Sequence, residues 1–150
     1  MADTELSAAE LRDLGEVAGT MVPADAALGM PGADDPAILA DTARSVGRDL
    51  PLVREALAAI KAKAAGNFAG LDRAKREALI NAWYAAGGTA AVALGRAILA
   101  AYYRDDRVLK AVGHEARAPF PKGHTLEQGD WSLVEVVKKR PAFWRDDRTP

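Results

Sequence analysis

One stretch of the sequence, residues 89–103, constrains the fold more than any other. Almost every position in it is apolar or small, and only Arg96 interrupts the run with a charge. A helix that is apolar on all sides is normally buried, because none of its faces favours water. We therefore expect a helix that other helices cover on most sides, which is the arrangement of an all-α bundle.

Residues 85–103, which contain this stretch, are also the one segment to consider as a membrane span. Arg96 near its middle would cost about 2.5–3.5 kcal/mol on insertion scales, and the neighbouring residues are mainly alanine and glycine. We therefore interpret the stretch as a buried helix of a soluble protein. The first 19 residues carry acids rather than a basic segment before an apolar run, and no Arg-Arg pair occurs. The sequence thus predicts a cytoplasmic protein with no membrane contact.

Composition excludes several classes of function. The chain has 150 residues, the size of one domain, with 20 basic and 21 acidic residues and a formal net charge of -1. No overall field therefore favours nucleic acid or an anionic membrane. The absence of cysteine excludes a disulfide scaffold, a thiol nucleophile and a thiolate-bound metal centre.

Capping signals and apolar stripes predict four helices before the central one. The predicted N-terminal caps are Ser7 (with Glu10 in a capping box), Asp35, Asp49, Asp72 and, for the central helix, Thr89. The predicted inner faces contain Leu11, Leu14, Ala18 and Met21; Ile38, Leu39, Thr42, Ala43 and Val46; Val53, Ala56, Leu57, Ile60 and Ala64; and Leu79, Ala82, Trp83 and Ala86. Gly95 lies inside the central helix, where glycine costs about 1 kcal/mol relative to alanine. We attribute it to the close approach of a neighbouring helix.

The pattern changes after residue 113. Residues 114–130 have no helical period, and Pro119 and Pro121 disfavour a helix or a central strand there. Residues 131–139 resume an apolar run that fits a short helix, although its valines also suit a strand. The sequence therefore predicts five to seven helices in a single domain. We expect residues 1–113 to form a compact bundle around helix 89–103. We expect residues 114–150 to form a Pro-rich extended arm, a short helix and an aromatic C-terminal tail.

Motifs for catalysis, nucleotide binding and calcium binding are missing, so we assign no catalytic, cofactor-binding or metal-binding residue. His114 and His124 would be a metal or proton-transfer pair, but solvated loop residues are the simpler interpretation. Asp105 and Asp106 would be an acid–base pair, but a helix cap is again simpler. The short basic runs at 73–76 and 138–140 favour solvated helix surfaces over nucleic-acid contacts.

Aromatic residues indicate an interface instead. Tyr102 and Tyr103 either close the core or line a ligand pocket. The C-terminal segment concentrates aromatic side chains where folding signals are weakest, and tryptophan and arginine are enriched at interface hot spots. This segment packs either on its own bundle or on a partner. The predicted partner interface consists of Tyr102, Tyr103, Pro119, Phe120, Pro121, Trp131, Phe143, Trp144 and Arg145.

A set of short motifs in a fixed order resembles one family. The motifs are Leu6-Ser7-Ala8-Ala9-Glu10, Val22-Pro23-Ala24-Asp25, Ala101-Tyr102-Tyr103 with Asp106, Val108, Leu109 and Gly113, Pro119-Phe120-Pro121-Lys122-Gly123, and Arg140-Pro141 with Trp144-Arg145. Through them the chain resembles the gluconate 2-dehydrogenase subunit 3 family. These are the small subunits of FAD-dependent sugar and alcohol dehydrogenases whose large subunit is a glucose–methanol–choline oxidoreductase.

The resemblance implies a non-catalytic, chaperone-like subunit in a hetero-oligomer, with FAD in the partner and no cofactor in this chain. Exported relatives carry a twin-arginine signal that this sequence lacks, which favours a cytoplasmic complex. Two alternatives stay open. The chain is a stand-alone small-molecule-binding helical protein or small enzyme with a pocket near Tyr102 and Tyr103, or it is a self-associating structural domain.

Overall fold

The computed structural model describes residues 5–117, 125, 127–141 and 143. In this part the chain is all-α with no strand, which confirms the predicted fold class. The helices are α1 (Ala8–Met21), α2 (Pro36–Ser45), α3 (Leu50–Lys63), α4 (Arg73–Ala85), α5 (Thr89–Tyr102), α6 (Asp106–Ala111) and α7 (Ser132–Lys138), with a 3-10 turn at Gly47–Asp49 before α3. None of the helices in these ranges combines the length and hydropathy that a membrane crossing needs.

Contacts divide the chain into two compact units, Met1–Ala116 and Arg117–Pro150. Helices α1 to α6 belong to the first unit, and α7 belongs to the second. The observed division falls close to the predicted boundary at residue 113. That the two parts form one domain remains a prediction.

Most helices begin where the sequence predicts. The Ser7 side chain accepts a hydrogen bond from the Glu10 N–H at 3.3 Å, and the Ser7 N–H donates to the Glu10 carboxylate at 2.7 Å, which completes the capping box. The carboxylates of Asp35, Asp72 and Asp105 cap α2, α4 and α6 by accepting from backbone N–H groups at 2.9 to 3.0 Å.

Two predicted caps differ from the structure. Asp49 occupies the predicted N-cap position of α3, but its side chain makes no cap hydrogen bond and its carboxylate pairs with Arg96 of α5 instead. Thr89 is the first residue of α5, and the cap position belongs to Gly88 with a φ of 113°. Glycine suits that position because a positive φ carries little steric penalty without a Cβ atom.

The core lies inside the first unit. On α2 and α3, the predicted stripes are buried at Ile38, Thr42, Val46, Val53, Ala56, Leu57, Ile60 and Ala64, and Leu39 and Ala43 are half-buried. On α1 the prediction is confirmed at the buried Leu14 and Ala18, and Leu11 and Met21 are half-buried, while the buried Val17 was not predicted. On α4 Trp83 is buried as predicted, but Ile80 is buried where Ala82 and Ala86 were expected, and these two alanines are exposed. The predicted stripes are therefore least accurate on α4.

Helix α5 is central, but it is not enclosed. It packs against α2 and α3 and buries residues such as Leu94, Ile98 and Tyr102. On its other side Val92 and Leu99 are 66% and 41% exposed. The expectation that this helix is covered on most sides is therefore wrong for one face.

The close approach predicted at Gly95 is confirmed. A Cβ atom at this position would overlap the Tyr84 hydroxyl of α4. That hydroxyl is buried without a hydrogen-bond partner, and burial raises the Tyr84 pKa. Gly95 therefore leaves room for the Tyr84 hydroxyl where α4 and α5 meet.

Candidate interaction surface

Large apolar side chains are exposed along α7 and on the residue before it. We call this set the α7 cluster: Trp131 (71% exposed), Leu133 (67%), Val134 (37%), Val136 (63%) and Val137 (55%). Monomeric soluble proteins rarely expose contiguous apolar patches of this kind unless the patch binds something. The α7 cluster is therefore the candidate interaction surface.

Local polar contacts fix the start of α7. The Asp130 carboxylate accepts from the Ser132 N–H at 3.0 Å and from its hydroxyl at 2.6 Å. These hydrogen bonds lower the Asp130 pKa. A helix of this length is marginal in water by itself. Burying the α7 cluster against another surface would therefore stabilise the helix as well as the contact.

The side chains of α7 are arranged to leave one broad apolar face. Leu133, Val136 and Val137 follow the i, i+3, i+4 spacing that places them on one side of a helix. Glu135 and Lys138 pair with each other at 2.6 Å. The predicted short helix at residues 131–139 is thus confirmed, with its apolar residues exposed.

The two tyrosines of the predicted interface differ in burial. Tyr102 is 2% exposed, and its hydroxyl donates to the Pro31 carbonyl at 3.1 Å. Burial raises the Tyr102 pKa, with a smaller contribution from Tyr103. Tyr103 is 53% exposed and meets the Tyr102 ring edge-on at 5.3 Å. Of the pair, Tyr103 is the side chain that a partner can reach, while Tyr102 supports it from the core.

The remaining predicted interface residues fall mainly in the C-terminal part. Phe143 is 93% exposed, which fits a side chain that buries its ring on another molecule. The other members, Pro119, Phe120, Pro121, Trp144 and Arg145, lie outside the described residues, as does His124. Their role in an interface stays a prediction. His114 is exposed, next to the turn that ends α6.

A second exposed surface lies on α5, and the sequence predicted it only at Tyr103. We call it the α5 ridge: the apolar Val92 and Leu99, Tyr103 and the charged Arg96, which repeat along α5 and the residue after it at helical spacing. A groove of about 470 Å³ with Leu52 on its wall runs beside Val92 and Arg96. Another groove, of about 540 Å³, lies beside Leu99 and is lined by Ile80 and Tyr84. The ridge with its two grooves offers a further surface for a helix of a partner.

Charged residues at the start of α6 have a structural role. The Arg107 guanidinium donates to both carboxylate oxygens of Asp35 at 2.9 and 2.8 Å and also to Asp105 at 2.9 Å. These hydrogen bonds lower the Asp35 pKa to about 2 and also lower that of Asp105. Asp105 is therefore ionised and caps α6, as the simpler interpretation of the Asp105–Asp106 pair predicts.

Among the residues that the structure describes, no group of three or more histidine, aspartate or glutamate side chains is placed to hold a metal ion.

Arg104, three residues before Arg107, also joins helices. It pairs with Asp41 at 2.7 Å and with the Ser45 hydroxyl at 2.6 Å. These contacts tie the end of α5 to α2. The ion pairs that Arg104 and Arg107 make with Asp41 and Asp35 thus join helices to one another.

No model of a known protein family matches the chain, and no curated protein or solved structure matches it either. The resemblance to the gluconate 2-dehydrogenase subunit 3 family therefore rests on its motifs alone. Two of these have a clear structural role here: Ser7 and Glu10 form a capping box, and Tyr102 closes the core at the end of α5.

Proposed function

We propose that this chain is a non-catalytic small subunit that binds and stabilises a flavin-dependent oxidoreductase of the glucose–methanol–choline type, acting on sugars or alcohols. The observation that carries the proposal is the α7 cluster, an apolar surface exposed on a helix too short to be stable alone. The kind of partner comes from the family resemblance. In this proposal FAD belongs to the partner, and the complex is cytoplasmic.

Energetics indicate that the interface is larger than α7. Full burial of a Val or Leu side chain contributes about 1.5–3 kcal/mol, and these side chains are already partly covered. The cluster therefore supplies roughly 5–10 kcal/mol, which is comparable to the cost of association. A stable complex thus requires contacts beyond α7. The exposed Phe143 ring and the α5 ridge are further apolar surfaces of this chain that can supply them.

The proposed contribution of this chain is stabilisation by linkage. A subunit that binds the folded flavoprotein and not its unfolded form raises the free energy of unfolding of that protein in proportion to the logarithm of subunit concentration over Kd. No residue of this chain needs to touch the substrate or the flavin for that effect.

Co-expression with a flavoprotein of the glucose–methanol–choline type from the same organism tests the proposal. The complex is purified through a tag on this chain, and flavin is measured by visible absorption. We expect a yellow complex with both chains in a fixed ratio. A colourless single chain, obtained while the flavoprotein is present and folded in the same cells, would reject the proposal.

A further inference from the structure

A groove between α1 and α4 has an unusual charge arrangement. It has a volume of about 580 Å³, and its lining includes Arg12, Gly15, Gly19, Asp34, Arg73 and Arg76. We call it the α1–α4 groove. Leu39 and Asp34 pack over the two glycines, at 3.3 Å and 2.8 Å from where a Cβ atom of Gly15 and Gly19 would lie.

Two of the three arginines in this groove are already neutralised. Arg76 pairs with Glu16 at 2.7 Å, and Arg73 pairs with Glu77 at 2.7 Å. Arg12 and Asp34 differ, since neither forms a hydrogen bond or ion pair with any residue in the described part of the chain. The groove therefore presents one unpaired cation and one unpaired anion.

The two unpaired residues are anchored about two helical turns apart. The Asp34 carboxyl group packs over Gly19, where an added Cβ atom would lie 2.8 Å from its Cγ atom. Arg12 precedes Gly19 by two turns on the same side of α1, which corresponds to about 10 Å along the helix axis. This backbone spacing sets the approximate separation that a ligand contacting both residues must bridge.

A further unsatisfied group lies between these two residues. Arg76 contacts Glu16, which stands between Arg12 and Gly19 in α1, and the Arg76 Nε–H is buried without an acceptor. A buried donor without a partner is unfavourable. A small rotation of this side chain toward a carbonyl oxygen of a bound molecule would satisfy it.

We propose that the α1–α4 groove binds an extended, peptide-like ligand with a carboxylate at one end and an ammonium group about 10 Å away. The carboxylate contacts Arg12, the ammonium contacts Asp34, and backbone carbonyls lie between them. A tripeptide with free termini has this length, because an extended chain spans about 3.3–3.6 Å per residue. An acidic and a basic side chain at the same separation on a partner protein present the same chemistry. The proposal does not depend on the flavoprotein.

The test is an NMR titration of the full-length chain with three peptides. These are tri-alanine with free termini, end-blocked tri-alanine, and an end-blocked peptide whose aspartate and lysine side chains lie about 10 Å apart. We expect saturable shifts of the Gly15 and Gly19 amides with the first or the third peptide. Binding of the first alone indicates a free peptide, and binding of the third indicates a segment of a partner. Binding of neither, or equal binding of the uncharged peptide, overturns the proposal.

Charge variants give the matched comparison. Arg12→Gln and Asp34→Asn should each raise the Kd about fivefold, the effect of losing one exposed ion pair at the upper end of its usual strength. Arg48→Gln removes an exposed arginine that does not line this groove and should leave Kd unchanged. An equal loss in all three variants would show a general charge effect and overturn the proposal. Because Arg12 and Asp34 are exposed and unpaired, both variants should keep the native helical circular dichroism.

Discussion

Gly95 and Tyr84 are matched to each other at the contact between α4 and α5. A methyl group at residue 95 overlaps the Tyr84 hydroxyl. We expect Gly95→Ala to lower the free energy of unfolding by about 1 kcal/mol, because an overpacking cost of roughly 1–3 kcal/mol exceeds the gain in helix propensity. Urea unfolding followed by circular dichroism measures the change.

The matched background for this variant is Tyr84→Phe, which removes the overlapping hydroxyl. In that background the Cβ atom would lie 3.1 Å from the nearest ring carbon. There we expect Gly95→Ala to become neutral or stabilising by up to about 1 kcal/mol. An equal loss in both backgrounds would show that the hydroxyl is not the constraint.

The ion pair between Asp35 and Arg107 predicts a pH effect on stability. The folded-state pKa of Asp35 is lowered from 3.8 to about 2. The pair therefore stabilises the fold fully above pH 4 and loses its contribution as the pH falls from about 4 to 2. Asp35→Asn, which keeps a capping oxygen, should remove roughly 1 kcal/mol at neutral pH after allowance for solvent screening, and less at pH 2.

Urea unfolding between pH 2 and pH 7 measures this dependence, and Asp34→Asn is the control. Asp34 is the neighbouring exposed acid and has no ion pair with a described residue. Its variant should follow the wild-type pH profile. A constant difference between Asp35→Asn and wild type across the range would contradict the assigned role of the Asp35 carboxylate.

At the scale of elements, the predictions that succeeded depend on local chemistry. The capping box at Ser7 and the cap-then-proline signal at Asp35 involve only neighbours in the chain, so the sequence contains them completely. Asp49 has a similar signal, but Arg96 of α5 competes for its carboxylate. That competitor is distant in sequence, and only the tertiary structure reveals it.

The apolar composition of α5 indicated that the helix is buried, but it did not indicate which face of the helix is exposed. With apolar residues on every side, the periodicity carries no information about which face is inward. The exposed ridge at Val92 and Leu99 was therefore not predictable. For α7 the helix was predictable from spacing, whereas the exposure of its side chains depends on what packs against it.

Substitution on α7 tests the candidate surface directly. Leu133→Asp replaces a side chain that is 67% exposed, so the free energy of unfolding of the isolated chain should change by no more than about 0.5 kcal/mol. If this residue is buried in the complex, association with the flavoprotein should weaken by about 2 kcal/mol or more. Isothermal titration calorimetry measures the association.

Glu135→Gln, on the same helix, is the matched control and should leave association unchanged within a factor of about two, because an exposed ion pair contributes little. Equal binding by wild type and Leu133→Asp would remove α7 from the interface. A lower melting temperature of the isolated Leu133→Asp chain would instead assign Leu133 to this chain's own packing.

For the whole molecule, stability is expected to belong to the first unit, whereas association is expected to need the second unit as well. The buried residues in the described part of the chain run from Leu14 to Val108, all within Met1–Ala116. We expect a fragment of residues 1–116 to fold and to melt within a few degrees of the full-length chain, since it retains this core. The same fragment should bind the flavoprotein much more weakly, because it keeps the α5 ridge but lacks the α7 cluster. Thermal circular dichroism and size-exclusion chromatography measure the two properties.

The central claim is that this chain stabilises a flavin-carrying protein by binding it. The most direct measurement is the melting temperature of the purified flavoprotein, followed by release of flavin fluorescence while this chain is added in increasing amounts. Binding to the folded form alone predicts a melting temperature that rises with the concentration of added chain, and a smaller rise with the Leu133→Asp variant. A melting temperature that stays constant at a large excess of this chain would contradict the claim.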